Sequence, residues 1–380
     1  MKKVIYILIM LVLITFLAIK NIEKEEINES QQENKQIFFG LFGIKHLEDN
    51  KEPIFNSEEI KSIKDKKKFD KQLKPKLYDL LNMPFEPLKE SSAKEITSED
   101  KGSYTKKKIF IYTSNITGRY AYLLIPKNID LPAPTILAMH GHGGHYNYGK
   151  SELVGDIGDK NQFIGKELVE KGYIVLAMDA PLFGDSALNN TKTDFGPKTL
   201  EDLFMQHLLL LGYSPLGVMI QEEIEALDFL TSLDIVDKNN IGCIGHSMGG
   251  VRCMYLSALD ERVKATVLSN SVANFRQKAE SGILHTWLII LPGIAKLTGT
   301  KGLLALITPR PLMIVYSELD PVFPLDEALD KINSTKKLYS ILNKQENFET
   351  IFIPKAAHEF PKEYHEQTYE FLDKHLKNQK

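Results

Sequence analysis

Ser247 lies in the pentapeptide Gly245-His246-Ser247-Met248-Gly249, at the junction of an apolar run, Asn240 to Gly245, and a helix-like run through Leu256. A strand that turns sharply into a helix at a serine holds it in strained backbone geometry, so small residues are needed two positions to either side. The turn lifts the hydroxyl clear of the sheet and leaves the Met248 N–H at a helix N-terminus, where negative charge is favoured. A serine hydroxyl is a weak nucleophile at its own pKa. Acyl transfer at Ser247 therefore needs an imidazole to take the proton and a carboxylate to orient that imidazole. Downstream, Asp320 follows the short apolar run Pro311 to Ser317, and His358 follows Glu349 to Pro354. Both fall just past strand ends, where open α/β sheets place their ligands. Two acids compete with Asp320: Glu318 is expected to point to the other face, and Asp326 to serve as a first-turn acid of the next helix.

Upstream, the run Pro134 to Met139 opens into His140-Gly141-His142-Gly143-Gly144-His145. The loop is similar to the His-Gly oxyanion loop of esterases, whose backbone donor follows the His-Gly pair; the donors are then the N–H groups of His142 and Met248. Three histidines at i, i+2 and i+5 also suggest a metal, but the loop accounts for them with His142 giving its backbone and His140 bracing the turn. From about Lys107 to the C-terminus the chain resembles the α/β-hydrolase superfamily, in its dienelactone hydrolase and acetyl xylan esterase-like branch. The likeness is carried by the HGHGG loop, Glu167 to Tyr173, the GHSMGG elbow, Ile307-Thr308-Pro309-Arg310-Pro311-Leu312, the Asp320 to Pro324 turn and His358-Glu359-Phe360. It implies a serine ester hydrolase with Ser247, Asp320 and His358 as its triad, acting without a cofactor on a small-molecule ester such as an acetylated carbohydrate. A prolyl-oligopeptidase-type peptidase shares this order of residues, but fewer than about 110 residues precede the sheet, too few for a propeller. A membrane-tethered, non-catalytic hydrolase fold is the reading of another class, and an intact triad argues against it.

Alternation of short apolar runs with helical patterns implies a mostly parallel sheet flanked by helices. The expected elements are a hairpin of Lys108 to Thr113 and Arg119 to Ile125, strands at Pro134 to Met139, Tyr173 to Met178, Lys264 to Leu268, Pro311 to Tyr316 and Glu349 to Ile353, and the elbow strand. Helices are expected at Phe69 to Leu81, Lys160 to Lys171, Gly217 to Ser232, Leu325 to Leu342 and Lys362 to Leu376. The long apolar stretch Ser269 to Lys301, with His285 and Trp287, reads as a cap or pocket wall, with core packing as the alternative. Asp179 and Asp185 are expected to anchor the loop after their strand.

With 47 Lys and Arg against 50 Asp and Glu, a net charge of −3, there is no global field for nucleic acid. No CxxC, HExxH or Walker-type loop is present, so no metal or nucleotide is implied. Cys243 and Cys253 are expected as buried small hydrophobes rather than a disulfide. Met1-Lys2-Lys3 and the 16 uncharged residues Val4 to Ile19 form an export signal without a small-residue pair for cleavage. The expectation is a signal-anchor over 1–20 with the domain outside the cell membrane, a cleaved signal being the alternative. Residues 21–106 form a charged tether, containing the apolar island Phe38 to Phe42, and a helical lead-in; residues 107–380 form the catalytic domain.

Overall fold

The computed structural model describes residues 52–86, 88–115, 117–187, 196–273 and 286–377. The expected signal-anchor, the island at Phe38 to Phe42 and most of the first half of the expected cap lie outside the described residues.

Nine strands form one sheet: β1 (Ala93–Asp100), β2 (Tyr104–Tyr112), β3 (Gly118–Pro126), β4 (Ala133–Met139), β5 (Ile174–Met178), β6 (Val236–His246), β7 (Val263–Ser269), β8 (Leu312–Ser317) and β9 (Phe348–Ile353). Their order is β1-β2-β3-β5-β4-β6-β7-β8-β9, antiparallel from β1 to β5 and parallel from β5 to β9. This is the α/β-hydrolase fold. Helices cover both faces, so the central strands bury apolar side chains on both sides rather than on alternate positions only. Neighbours along a strand serve opposite sides. Ile136, Val175, Ile244 and Val267 pack under α2 (Ile164–Glu170) and the last helix, α8 (His365–Leu376). Leu137, Leu176, Cys243 and Leu268 face the layer containing α1 (Ile63–Leu81), α4 (Pro215–Ser232) and α5 (Met248–Leu259).

Before β1 the chain is already part of the core. Ser62 caps α1 by accepting the Asp65 N–H, and Phe69, Leu73, Leu77 and Leu81 make one stripe at four-residue spacing. Leu73, Leu77 and Leu81 are wholly buried. The C-terminal end of α1 lies so close to α4 that a Cβ on Gly217 would come within 2.2 Å of the Leu81 carbonyl oxygen.

Three features depart from the sequence reading. The sheet begins at Ala93, so the boundary drawn at residue 107 falls inside β2. β1 has almost entirely exposed side chains and pairs by charge, with Glu99 opposite Lys106 and Lys107 Nζ 2.9 Å from Glu95; an edge strand of this kind carries no apolar alternation to betray it. A helix not anticipated, α3 (Pro197–Leu210), precedes α4. Finally, Cys243 on β6 and Cys253 on α5 form a disulfide, where buried free thiols were expected. The elbow folds α5 back against its own strand and brings the two Cα atoms to 5.8 Å, within disulfide reach.

In the expected cap region, Leu288, Ile289 and Leu291 are buried in the core, as the alternative reading required, whereas Trp287 is half exposed. The helix α6 (Gly299–Ile307) follows, and α7 (Leu325–Ile341) separates β8 from β9. Among the described residues no single helix is long and apolar enough to cross a membrane.

Candidate active site

β6 ends at His246 and α5 begins at Met248, leaving Ser247 alone in the turn at φ 57°, ψ −123°. A non-glycine residue there is strained, and its surroundings hold it: Ser247 N–H donates to Ser269 O at 2.9 Å, and its carbonyl accepts from Val251 N–H at 3.0 Å. The flanking glycines are a consequence of crowding. A Cβ on Gly249 would lie 2.0 Å from the Met139 carbonyl oxygen, and one on Gly245 would lie 2.3 Å from the Gly249 carbonyl carbon.

His358, in the loop after β9, reaches Ser247 Oγ through Nε2 at 2.7 Å and Asp320 Oδ2 through Nδ1 at 2.8 Å. Asp320 follows β8 with its side chain fully buried, and its other oxygen accepts the N–H groups of Val322 (2.7 Å) and Phe323 (2.9 Å). Those bonds fix the carboxylate, so Nδ1 of His358 donates to it and Nε2 is left to accept the serine proton. Phe323 stacks on the imidazole at 5.7 Å between ring centres, and His246 lies on another side at 4.8 Å. Burial, and then the charge that His358 acquires, push the His246 ring well below the usual histidine range. His246 therefore stays neutral beside the base; its Nδ1 lies 3.1 Å from Ser269 Oγ.

The oxyanion loop leaves β4 directly beneath the elbow, where a Cβ on Gly141 would be 3.7 Å from Ser247 Cβ. His140 braces it: Nε2 accepts the Ala180 N–H at 2.9 Å, so Nδ1 carries the hydrogen and donates to Gly141 O at 2.8 Å. Burial first, and the nearby Arg252 charge second, push this ring down to about 3. His142 follows, its N–H meeting no acceptor among the described residues. Met248, as the first residue of α5, has no intrahelical acceptor for its N–H either. Both amides thus lack a partner among the described residues, one on the loop beneath the elbow and one next to Ser247, and are candidates to bind a developing oxyanion.

The three loop histidines do not converge on a metal: His140 is occupied as described, His142 Nε2 bonds Glu201 at 2.8 Å, and His145 stacks on Tyr148. Among the described residues no group of three such ligands could hold an ion. The competing acids have other work. Glu318 accepts the Lys355 N–H at 2.7 Å, and Asp326 sits in the first turn of α7. Asp179 accepts Lys150 N–H at 2.9 Å and Nζ at 2.7 Å, and Lys150 Nζ also bonds the exposed Asp185; the buried Lys150–Asp179 pair ties the segment after the oxyanion loop to the end of β5. Sequence reasoning missed Glu201, an acid on α3 that is fully buried against His142.

Residues 24–376 match the profile of the Abhydrolase family. A Bacillus subtilis (strain 168) protein named "Putative hydrolase YtaP" is 34% identical over 215 residues, covering 56% of this chain and 68% of that one. Among solved structures, a Bacteroides fragilis NCTC 9343 protein described as a "putative acetyl xylan esterase" superimposes with a TM-score of 0.68 at 22% identity, covering 87% of this chain and 89% of the other. A glucuronoyl esterase from Solibacter usitatus gives 0.57 at 15% identity over 81% and 93%. Acetyl xylan esterase 1 from Thermoanaerobacterium sp. JW/SL YS485 gives 0.53 at 15% identity over 80% and 92%. Likeness at these identities is likeness of fold: the sheet and its helices are arranged as in these proteins. The profile match and the Bacillus relative establish kinship: the chain belongs to the abhydrolase family.

Proposed function

We propose that the protein is a serine carboxylic ester hydrolase working through an acyl-enzyme. The observation that carries the reading is the continuous hydrogen-bonded line Ser247 Oγ, His358 Nε2, His358 Nδ1, Asp320 Oδ2, at 2.7 and 2.8 Å, ending on a serine held at positive φ. Ser247 Oγ attacks the ester carbonyl as His358 Nε2 takes its proton, and the N–H groups of His142 and Met248 hold the resulting oxyanion. The alcohol leaves with the proton from His358. Water then attacks the acyl carbonyl as it gives a proton to the same nitrogen, and that proton passes to Ser247 Oγ as the acid leaves. Asp320 keeps Nδ1 protonated throughout.

Small acyl groups on a carbohydrate or similar alcohol are the proposed substrates. The support is the fold shared with proteins named as acetyl xylan and glucuronoyl esterases. The N-terminal run is proposed to be an uncleaved anchor that leaves the catalytic domain outside the cell membrane.

A fluorophosphonate probe tests the chemistry. Labelling of wild type that disappears in Ser247→Ala is the expected result, together with turnover of acetyl esters in a panel that also contains acetylated sugars and peptide amides. Folded wild type that takes up no probe overturns the reading. Faster cleavage of amides than of esters would replace it with a peptidase.

A further inference from the structure

The triad leaves one buried charged group beside the site unexplained. Glu201, on α3, is completely buried, and it collects three donors: His142 Nε2 at 2.8 Å and Tyr146 OH at 2.6 Å on Oε2, and Thr286 Oγ1 at 2.7 Å on Oε1. Burial works to raise its carboxyl, but the bonds from His142, Tyr146 and Thr286 outweigh it and hold the group down at about 2, so it is ionised at any working pH.

What matters is where the His142 ring leads. Its Nδ1 accepts the Gly144 N–H at 3.1 Å, which fixes the hydrogen on Nε2, and that hydrogen goes to Glu201. The ring therefore closes the turn from its own residue to Gly144, and Gly143 and Gly144 take the left-handed backbone, φ 55° and 76°, that the turn requires. Tyr146 and Phe183 pack edge-on against the same ring at 5.1 Å, leaving it one orientation. With the ring, the turn and the carboxylate locked together, the His142 backbone N–H has one direction.

We propose that Glu201 is a positioning residue for the oxyanion hole, acting through the His142 imidazole to aim the His142 N–H at the oxyanion; the proposal rests on the serine esterase reading above. Glu201 touches no reacting atom. Its third donor, Thr286, lies beyond β7, while Glu201 itself lies beyond β5, so the donor's aim depends on two separate excursions of the chain over the C-terminal edge of the sheet. An oxyanion donor that is misaimed weakens transition-state binding and leaves ground-state binding intact, and this separates the proposal from a structural role.

The experiment compares wild type with Glu201→Gln, which keeps the shape but presents an amide N–H to one of the three donors, and with Thr286→Val, which removes the donor farthest away in sequence. Glu201→Gln should lower kcat about 10- to 100-fold with KM within about twofold. A trifluoromethyl ketone, which forms a tetrahedral adduct on serine, should lose affinity by the same factor as kcat/KM. Thr286→Val should show the same pattern at smaller amplitude. In imidazole 15N spectra, wild-type His142 should be the neutral Nε2–H tautomer, and Glu201→Gln should perturb that signal. Unchanged kcat, a change confined to KM, or lost turnover without matching loss of ketone affinity would each overturn the proposal. If wild type neither hydrolyses esters nor takes up fluorophosphonate, the esterase reading fails and the catalytic role of Glu201 fails with it. An unperturbed His142 signal in Glu201→Gln, by contrast, overturns the positioning claim alone.

Discussion

At Ser247 the strain is visible as a backbone angle, and its partners are fixed by bonds that leave each one role. Ser247→Ala or His358→Ala should therefore lower kcat by on the order of 10⁴-fold or more, and the double variant should fall little further, because the three groups act as a unit. Independent, multiplying losses in steady-state assays would contradict that. Asp320→Asn should be severely impaired, whereas Glu318→Gln, which disturbs only the bond to Lys355 N–H, should keep most activity. His140 carries a pH prediction. Its folded value is about 3 against an ordinary value of 6.5, so between these the unfolded chain binds a proton that the native ring refuses. Stability then falls as pH falls through that window, and Glu201 adds to the loss from 4.5 down to about 2. Glu222, pushed up to about 7 by burial, has the opposite sign and costs stability as pH rises through its own window. Denaturant titrations should show a shallower fall from pH 6.5 to 3 for His140→Gln than for wild type; equal slopes would mean that the ring is not held neutral. Ser247, Asp320 and His358 could be found from sequence because strand-end positions and chain order constrain them. Glu201 could not, since nothing local to a helix acid says which side chain it will be buried against.

Element by element, legibility followed burial. The inner strands were readable because both faces are covered and short runs of mostly apolar residues result, whereas β1 pairs through charges at an edge and α3 had Pro197 at its first turn as a signal. The β6–α5 disulfide was not legible because the ten-residue separation closes only when the elbow folds the helix back on its strand. Thiol titration of denatured, unreduced protein should find no free thiol and, after reduction, both cysteines; two thiols before reduction would mean that the pair is open. The stripe of α1 gives a second prediction. Leu77→Ala removes a fully buried side chain from the core and should cost about 2–5 kcal/mol in denaturant unfolding. A loss below about 0.5 kcal/mol, the usual effect of a surface change, would show that α1 is not docked.

For the whole molecule, the proposed anchor makes location a physical consequence of residues 1–20. Full-length protein should sediment with membranes, resist high salt and yield to detergent; a soluble exported form beginning shortly after Ala18 would replace the anchor with a cleaved signal. On the anchor proposal, the charged stretch after the run would let the catalytic domain sample substrate away from the bilayer. Whatever the protein's location, the proposed reaction passes through one covalent intermediate. Rapid acid quench of the protein during turnover of an aryl acetate, followed by mass analysis of its peptides, tests it most directly. An acetyl group on the peptide carrying Ser247, formed in a burst and absent in His358→Ala, is the predicted result. Turnover with Ser247 unmodified at every quench time, or an acetyl group on another residue that keeps pace with turnover, would contradict it.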